Sequence, residues 1–291
     1  MRSGILLEAD PGLRVFFILI NVLVVLAILC LVLFGVILIL IKPGKKREVG
    51  LFYGKEYAHR GLHGSEVPEN SLTAFRLAVE AGYGVELDVQ MTKDEKLVVF
   101  HDATLTRMCG VTGYLRDYTY DELQTLRLKG TEERIPLFSE VLEVLGNTTL
   151  VCELKPDNGA MNYYFCNKVY EELCNYKGNY CMESFSPYIT GWFKKHHPEI
   201  IRGQLSCRMA AEDMKNPFAR CLLTNMLFNC VSRPDFISYD FKSIDTWGYR
   251  LIKRVFNPFR IAWTPRGPEE IEEAKKEFDT IIFEKEPRVM N

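Results

Sequence analysis

The spacing of apolar and polar residues changes character sharply along this chain. From Val15 to Ile41 it reads VFFILINVLVVLAILCLVLFGVILILI, with Asn21 the most polar residue. That run exceeds the ~20 residues a helix needs to cross a bilayer, and a helix packed in a soluble core normally keeps one polar face. A cleaved secretion signal would have an apolar stretch of only about 7–15 residues, closed by a small-residue cleavage site. The pattern predicts an uncleaved transmembrane helix over 15–41, preceded by a short tail (1–14) and followed by a basic linker (42–50).

From residue 51 to 291 the pattern is short apolar runs alternating with amphipathic stretches. Strand ends are predicted at EYAHRG, GVELDVQ, TTLVCELKP, YCMESFSP, RGQLS, DFISYDF, RIAWTP and TIIFEKEP. Helical segments such as SLTAFRLAVEAG, LFSEVLEVLG and GPEEIEEAKKEF separate them. Strands alternating with helices argue for parallel pairing through crossovers. One more apolar run, KLVVFHD, follows GVELDVQ after only MTKDE. A parallel crossover needs a dozen or more residues, so this run must turn back as a hairpin. With it set aside, the expected fold is a single α/β domain over 51–291. It is a (β/α)8 TIM-type barrel with a small hairpin insertion, preceded by one transmembrane helix.

Charge refines this picture. Lys and Arg number 36 against 38 Asp and Glu, a formal net charge of -2. No nucleic-acid partner is expected, because such partners call for a basic patch or stripe. Around the apolar run the charges are asymmetric. Lys42, Lys45, Lys46 and Arg47 follow it, whereas Arg2 and Arg14 precede it among Glu8 and Asp10. The positive-inside rule then predicts a single-pass protein of the cell membrane with its large domain in the cytoplasm. Of nine cysteines none forms a C-x-x-C pair, and several sit in apolar runs, where reduced core thiols are expected.

The candidate chemistry lies at strand ends, the working rim of such a barrel. His59 and Arg60 end the first strand, Glu86 and Asp88 lie in the second, His101 follows the hairpin, and Glu153 and Lys155 end the third. Residues two apart on a strand share a face, so Glu86 projects with Asp88 and Glu153 with Lys155. Buried carboxylates are costly unless paired or bound to metal. Three of them converging form a hard oxygen cage for a divalent cation, Mg2+ or Ca2+. Two histidines beside such a cation suit acid–base chemistry, and Arg60 and Lys155 suit an anionic group. Together they point to cleavage of a phosphate ester. His63 is read as a solvent-exposed loop residue, and His196 and His197 as structural residues ending a helix. The stretch from Glu56 to Phe75 then makes sense as an active-site loop: Gly61 and Gly64 allow close backbone approach, and Asn70 or Ser71 caps the next helix. The segment MKNPFARCLLTNMLFNCVSRPDF reads as core helix, with a lip resting on the membrane as the alternative.

The ordered set HRG…PENSLTAF…ELDVQMTKDEKLVVFHD resembles the glycerophosphodiester phosphodiesterase family, and the likeness continues through IPLFSEVL, CELKP, SFSP and AWTP. That resemblance implies a metal-dependent barrel hydrolase. In it, His59 and His101 correspond to the acid–base pair and Glu86, Asp88 and Glu153 to the metal ligands. Arg60 and Lys155 correspond to phosphate contacts, and Trp263 to an aromatic on the substrate side. One departure stands out: where family members often carry Thr-Asp at the end of the last strand, this chain has Phe283 and Glu284. Since the missing Asp is neither a metal ligand nor an acid–base group, the departure bears on substrate contacts or loop anchoring. The implied reaction is hydrolysis of a glycerophosphodiester to glycerol 3-phosphate and an alcohol. The anchor raises an alternative, lysophospholipase D-type cleavage of a membrane lysophospholipid. A second alternative is a non-catalytic, membrane-tethered ligand-binding barrel, which loss of a carboxylate or histidine would support; none is lost.

Overall fold

A computed structural model describes residues 11–44, 49–156, 163–212 and 214–285. The flanking charges at Arg2, Glu8, Asp10, Lys45, Lys46 and Arg47 lie outside the described residues. Contacts divide the chain into two units, the first ending at Leu40 and the second beginning at Ile41. The first is dominated by α1 (Pro11–Ile41). Its stretch Val15–Ile41 is long and apolar enough to cross a membrane by length and composition, and nearly all of its large apolar side chains are exposed.

The second unit is a closed barrel. Its strands are β1 (Glu56–His59), β2 (Gly84–Met91), β3 (Leu97–Val99), β4 (Leu150–Leu154), β5 (Tyr180–Ser184), β6 (Arg202–Ser206), β7 (Phe236–Asp240), β8 (Phe259–Arg266) and β9 (Thr280–Glu284). All but β3 pair in parallel, in the order β1-β9-β8-β7-β6-β5-β4-β2, and β1 also pairs with β2 to close the ring. β3 pairs antiparallel with β2, Val89 opposite Val99, which is the hairpin the short MTKDE connection required. The helices between strands are α2 (Leu72–Glu80), the short α3 (Thr106–Cys109) and α4 (Tyr120–Leu123), then α5 (Phe138–Leu145) and α6 (Tyr163–Leu173). After them come α7 (Pro187–His196), α8 (Pro217–Thr224), α9 (Asn229–Ser232), α10 (Trp247–Phe256) and α11 (Gly267–Glu277). Residues 41–44 are tied to the end of α9: Asn229 Nδ2 donates to the Ile41 carbonyl at 2.9 Å and Arg233 Nη1 to that of Lys42 at 2.8 Å.

The barrel interior is layered by the two-residue period of its strands. One layer is apolar: Tyr57, Val151, Cys181, Phe236, Ile261 and Ile282 pack together, with Phe52 from the turn before β1 added to them. Two residues further along the strands, toward their C-terminal ends, the same face turns polar with His59, Glu153, Glu183, Trp263 and Glu284. The apolar layer is the floor on which these polar groups stand. Outside it, α3, α4 and the loop around them enclose a separate small core of Val98, Phe100, Leu105, Met108, Leu115, Leu123, Leu128 and Ile135. That core holds the hairpin and the chain following it in place.

The segment read as core helix differs from expectation. α8 buries no residue fully, and Phe218 on it is 71% exposed. Asn216 caps it by accepting from the Phe218 and Ala219 amides, and only further along the same segment are residues such as Met226 and Asn229 buried. The cysteines of the described residues are free thiols, with Cys152, Cys166 and Cys181 buried.

The apolar floor is tightly filled around Gly203, where an added Cβ would lie 2.2 Å from the Phe236 ring. Overpacking of this kind typically costs about 1–3 kcal/mol. Gly203→Ala is therefore expected to lower the urea midpoint of the detergent-solubilised chain by a corresponding amount. An unchanged midpoint would mean that the floor has slack there.

Candidate active site

Three carboxylates meet at the C-terminal end of the barrel. Strand register sets Asp88 opposite Glu153 and His59 opposite Glu86. One oxygen each of Glu86, Asp88 and Glu153 lies within 4.8 Å of the others. All three residues are buried, with 2%, 0% and 6% exposure. Such like charges tolerate one another only if countercharge is close. Lys155 Nζ sits 2.9 Å from Asp88 Oδ1 and 2.7 Å from Glu153 Oε1. The Arg60 amide donates to Glu86 Oε2 at 3.1 Å, and Asn70 Nδ2 to Asp88 Oδ2 at 2.8 Å.

The protonation pattern follows from these partners. Burial and the neighbouring Asp88 and Glu153 push the Glu86 carboxyl well above the usual range. Burial would raise Asp88 as well, but Lys155, His101, Arg60 and the Asn70 amide hold it well below. Glu153 is raised, chiefly by burial, despite Lys155. A buried trio of which two members resist ionisation fits a hard divalent cation, which oxygen donors bind best. Glu86, Asp88 and Glu153 supply such donors at close range.

Each of the two site histidines is gripped at Nδ1. His59 Nδ1 lies 2.8 Å from Glu284 Oε1, which leaves Nε2 directed inward, 3.9 Å from Glu86 Oε2. Burial, only partly offset by Glu284, pushes the His59 imidazole down to about 4, so it is neutral at physiological pH. His101 Nδ1 lies 2.7 Å from Asp102 Oδ1. Behind Asp102 stands Arg107, whose Nε and Nη2 reach its two oxygens at 2.7 and 2.8 Å. Arg107 also forks onto Glu69 at 2.7 and 2.8 Å, and Glu69 takes a 2.7 Å bond from Arg60 Nη1. Burial alone would raise the Glu69 carboxyl, but Arg107 and Arg60 bring it down to about 2. A continuous relay of ion pairs thus joins the loop after β1 to the turn after β3.

The loop itself is shaped by two positive-φ residues. Gly61 has φ of 80°, and a Cβ there would lie 2.7 Å from the Ala74 backbone. Asn70 adopts φ of 55°, and its side chain goes to Asp88 while Ser71 caps α2 by accepting from the Ala74 amide. Of the two capping candidates, Ser71 does the capping.

His59, Arg60, Glu86, His101, Glu153, Lys155 and Trp263 line a single cavity of about 340 Å³, and the eighth site residue, Asp88, is buried against Lys155 and Asn70. The walls on the Trp263 side are Phe185, set edge-on to the indole at 5.7 Å between ring centres, and Leu205. His63 differs from expectation: it lines the cavity and its Nε2 is buried, because the 61–64 turn folds inward instead of outward. His196 stacks on Trp192 and His197 on Tyr170, and neither lines the cavity.

Glu183 of the cavity was not singled out from sequence, and Glu284 was noted only as a departure bearing on substrate contacts or loop anchoring. Glu183 stands opposite Glu153 in register, and Glu284 holds His59. The available signal was the strand period: Glu183 lies two residues beyond Cys181 of the apolar floor, and Glu284 two beyond Ile282.

The model of the glycerophosphoryl diester phosphodiesterase family matches residues 59–228, more than half of the chain. The chain belongs to this family. A glycerophosphodiester phosphodiesterase of Caldanaerobacter subterraneus is 35% identical over 159 residues, covering 51% of this chain and 65% of that protein. A Rattus norvegicus lysophospholipase D is 34% identical over 145 residues, 45% of each chain. The match thus spans less than two thirds of these relatives' lengths. In fold, the chain is similar to an Oleispira antarctica phosphodiesterase solved with the product sn-glycerol 3-phosphate, with a TM-score of 0.65, 24% identity, and coverage of 80% of this chain and 93% of that one.

Glu183 generates a test of the site's electrostatics. Burial, reinforced by Glu153, pushes its carboxyl up to about 8, against roughly 4.3 for an unfolded glutamate. Between those values the folded chain holds a proton that the unfolded chain has released, so this group's contribution to stability falls as pH rises through the window. Glu183→Gln is expected to raise the melting temperature at about pH 8 in chelator, with a much smaller gain at about pH 5. An equal change at both pH values would count against a buried, proton-holding Glu183.

Proposed function

We propose that this family member hydrolyses glycerophosphodiesters to glycerol 3-phosphate and an alcohol. The observation that carries the reading is the convergence, in one cavity, of three buried carboxylates, two imidazoles each held at Nδ1 by a carboxylate, and the cations Arg60 and Lys155. A divalent cation, Mg2+ or Ca2+, held by Glu86, Asp88 and Glu153 would supply charge stabilisation to the phosphoryl group and acidify a neighbouring hydroxyl.

The chain's own groups do the rest. Lys155 and Arg60 bind phosphoryl oxygens, and anion recognition suits Arg60 because its guanidinium is already oriented by Glu69. One of His59 and His101 accepts the proton of the attacking glycerol hydroxyl, and the other returns a proton to the departing alcohol oxygen. Water then opens the resulting cyclic phosphate, with the two imidazoles exchanging roles. Trp263, Phe185 and Leu205 form the apolar wall that keeps bulk water away from the reacting groups.

Arg107 and Arg266, both well exposed, line the cavity, and charged groups there favour a small soluble diester over a lipid. The named lysophospholipase D relative keeps a lysophospholipid as the second substrate to test. Residues 51–291 form the reacting domain in this reading. α1 anchors it as a single-pass membrane protein, with the catalytic part on the cytoplasmic side as the flanking charges imply.

The full chain in detergent, assayed with glycerophosphocholine, glycerophosphoglycerol and lysophosphatidylcholine, tests this. Glycerol 3-phosphate release is expected with Mg2+ or Ca2+ and is expected to vanish in chelator. His101→Ala and Glu86→Ala should each lower kcat by about 10²–10⁴-fold. Choline release from the lysolipid alone would move the assignment to lysophospholipase D. Ligand binding without turnover under any metal would favour the binding-barrel alternative.

A further inference from the structure

Glu284, at the end of β9, touches one of the two site imidazoles. Its Oε1 accepts from His59 Nδ1 at 2.8 Å, while Arg266 approaches from the other side with Nε 2.5 Å from Oε2 and Nη2 3.2 Å from Oε1. The carboxylate is thus clamped between a guanidinium fork and an imidazole.

A backbone irregularity puts Arg266 there. β8 and β9 pair Ile261 with Thr280, Ala262 with Ile281 and Trp263 with Ile282. Continued unbroken, that register would set Pro265, which has no side-chain donor, opposite Glu284. A register shift after Trp263 brings Arg266 opposite Glu284 instead, re-aiming a side chain as such irregularities do beside active sites. The Arg266 amide is in turn held by Glu270 Oε2 at 2.7 Å, at the start of α11.

We propose that Glu284, braced by Arg266, is the positioning residue for His59: it keeps the proton on Nδ1 and turns Nε2 toward the carboxylate cluster. A hydrogen bond at one ring nitrogen selects the tautomer and so decides what the other nitrogen can do. With Nδ1–H donated to Glu284, Nε2 is the nitrogen free to exchange a proton, and it is the one facing Glu86. His101 has the equivalent arrangement through Asp102 and Arg107. For His59 the partner comes from the neighbouring strand β9, 225 residues along the chain, instead of from the adjacent residue.

This inference builds on the proposed reaction, and its test separates the two. The full chain has five histidines, so ring-nitrogen shifts of 15N-histidine-labelled protein in detergent are assignable with single substitutions and need no substrate. His59 is expected to show a protonated Nδ1 and an unprotonated Nε2, and Glu284→Ala to release it to a tautomer mixture. In turnover, Glu284→Ala should lower kcat roughly 10–100-fold with KM little changed, and Arg266→Ala should lower it less. In a His59→Ala background, Glu284→Ala should add no further loss, since its effect runs through the ring. If Glu284→Ala fails to fold, Arg266→Ala carries the same ring-shift measurement. An Nε2-protonated ring in the parent, an unmoved tautomer on removal of Glu284 (or of Arg266, should that variant stand in), or an equal kcat loss with and without His59 would overturn the proposal. If the tautomer shifts as described and no diester is turned over, the positioning stands and the reaction assignment falls.

Discussion

Three carboxylates buried side by side constrain everything around them. At the separations of Glu86, Asp88 and Glu153 their mutual repulsion inside protein far exceeds what it would be in water, and only nearby positive charge makes the arrangement tenable. Lys155 lies among them, Arg60 presents both its amide and its side chain to them, and Asn70 contributes an amide donor. The loop after β1 takes its shape from these demands: Asn70 accepts an uncommon backbone conformation in order to reach Asp88. The apolar floor beneath supplies rigidity, since Tyr57, Val151, Cys181 and Ile282 fix the strands from which the polar groups project.

Because the cluster needs positive charge, the cations of the cavity serve two masters. Arg60 and Lys155 neutralise carboxylates of the protein, yet both also line the space where an anion would sit. Arg107 and Glu69 resolve part of that conflict. Glu69 fixes Arg60 from behind, and Arg107 bridges Glu69 to Asp102, so that one line of ion pairs orients both Arg60 and His101. Charge-assisted bonds of this kind are short and directional, which suits groups that must be held within a fraction of an ångström.

Much of this was legible in the sequence, and the parts that were not share a cause. The parallel strands, the hairpin and the placing of His59, Arg60, Glu86, Asp88, His101, Glu153 and Lys155 at strand ends follow from period-two alternation and connection length, both local properties, whereas Trp263 came only from the family resemblance. The sequence marked Glu284 as a departure but not as the partner of His59, which lies 225 residues away, and no local pattern reports such a pairing. Arg107 and Glu69 are ordinary charged residues until the fold brings them together. His63 was misjudged because the inward fold of its turn depends on contact with α2, as the Leu62 amide bonding to the Ala74 carbonyl shows. α8 was misjudged because its apolar composition says nothing of whether a neighbour exists to cover it.

The ring closes where β1 meets β9, the first and last strands of the barrel. During synthesis β1 leaves the ribosome first and must wait for the chain through Glu284 before it can complete its pairing. Until then His59 lacks the carboxylate that orients it, however well the intervening strands have assembled. His59 is therefore oriented only once β9 has been made, and a truncated or stalled product lacking β9 would carry most of the barrel strands with this imidazole unheld.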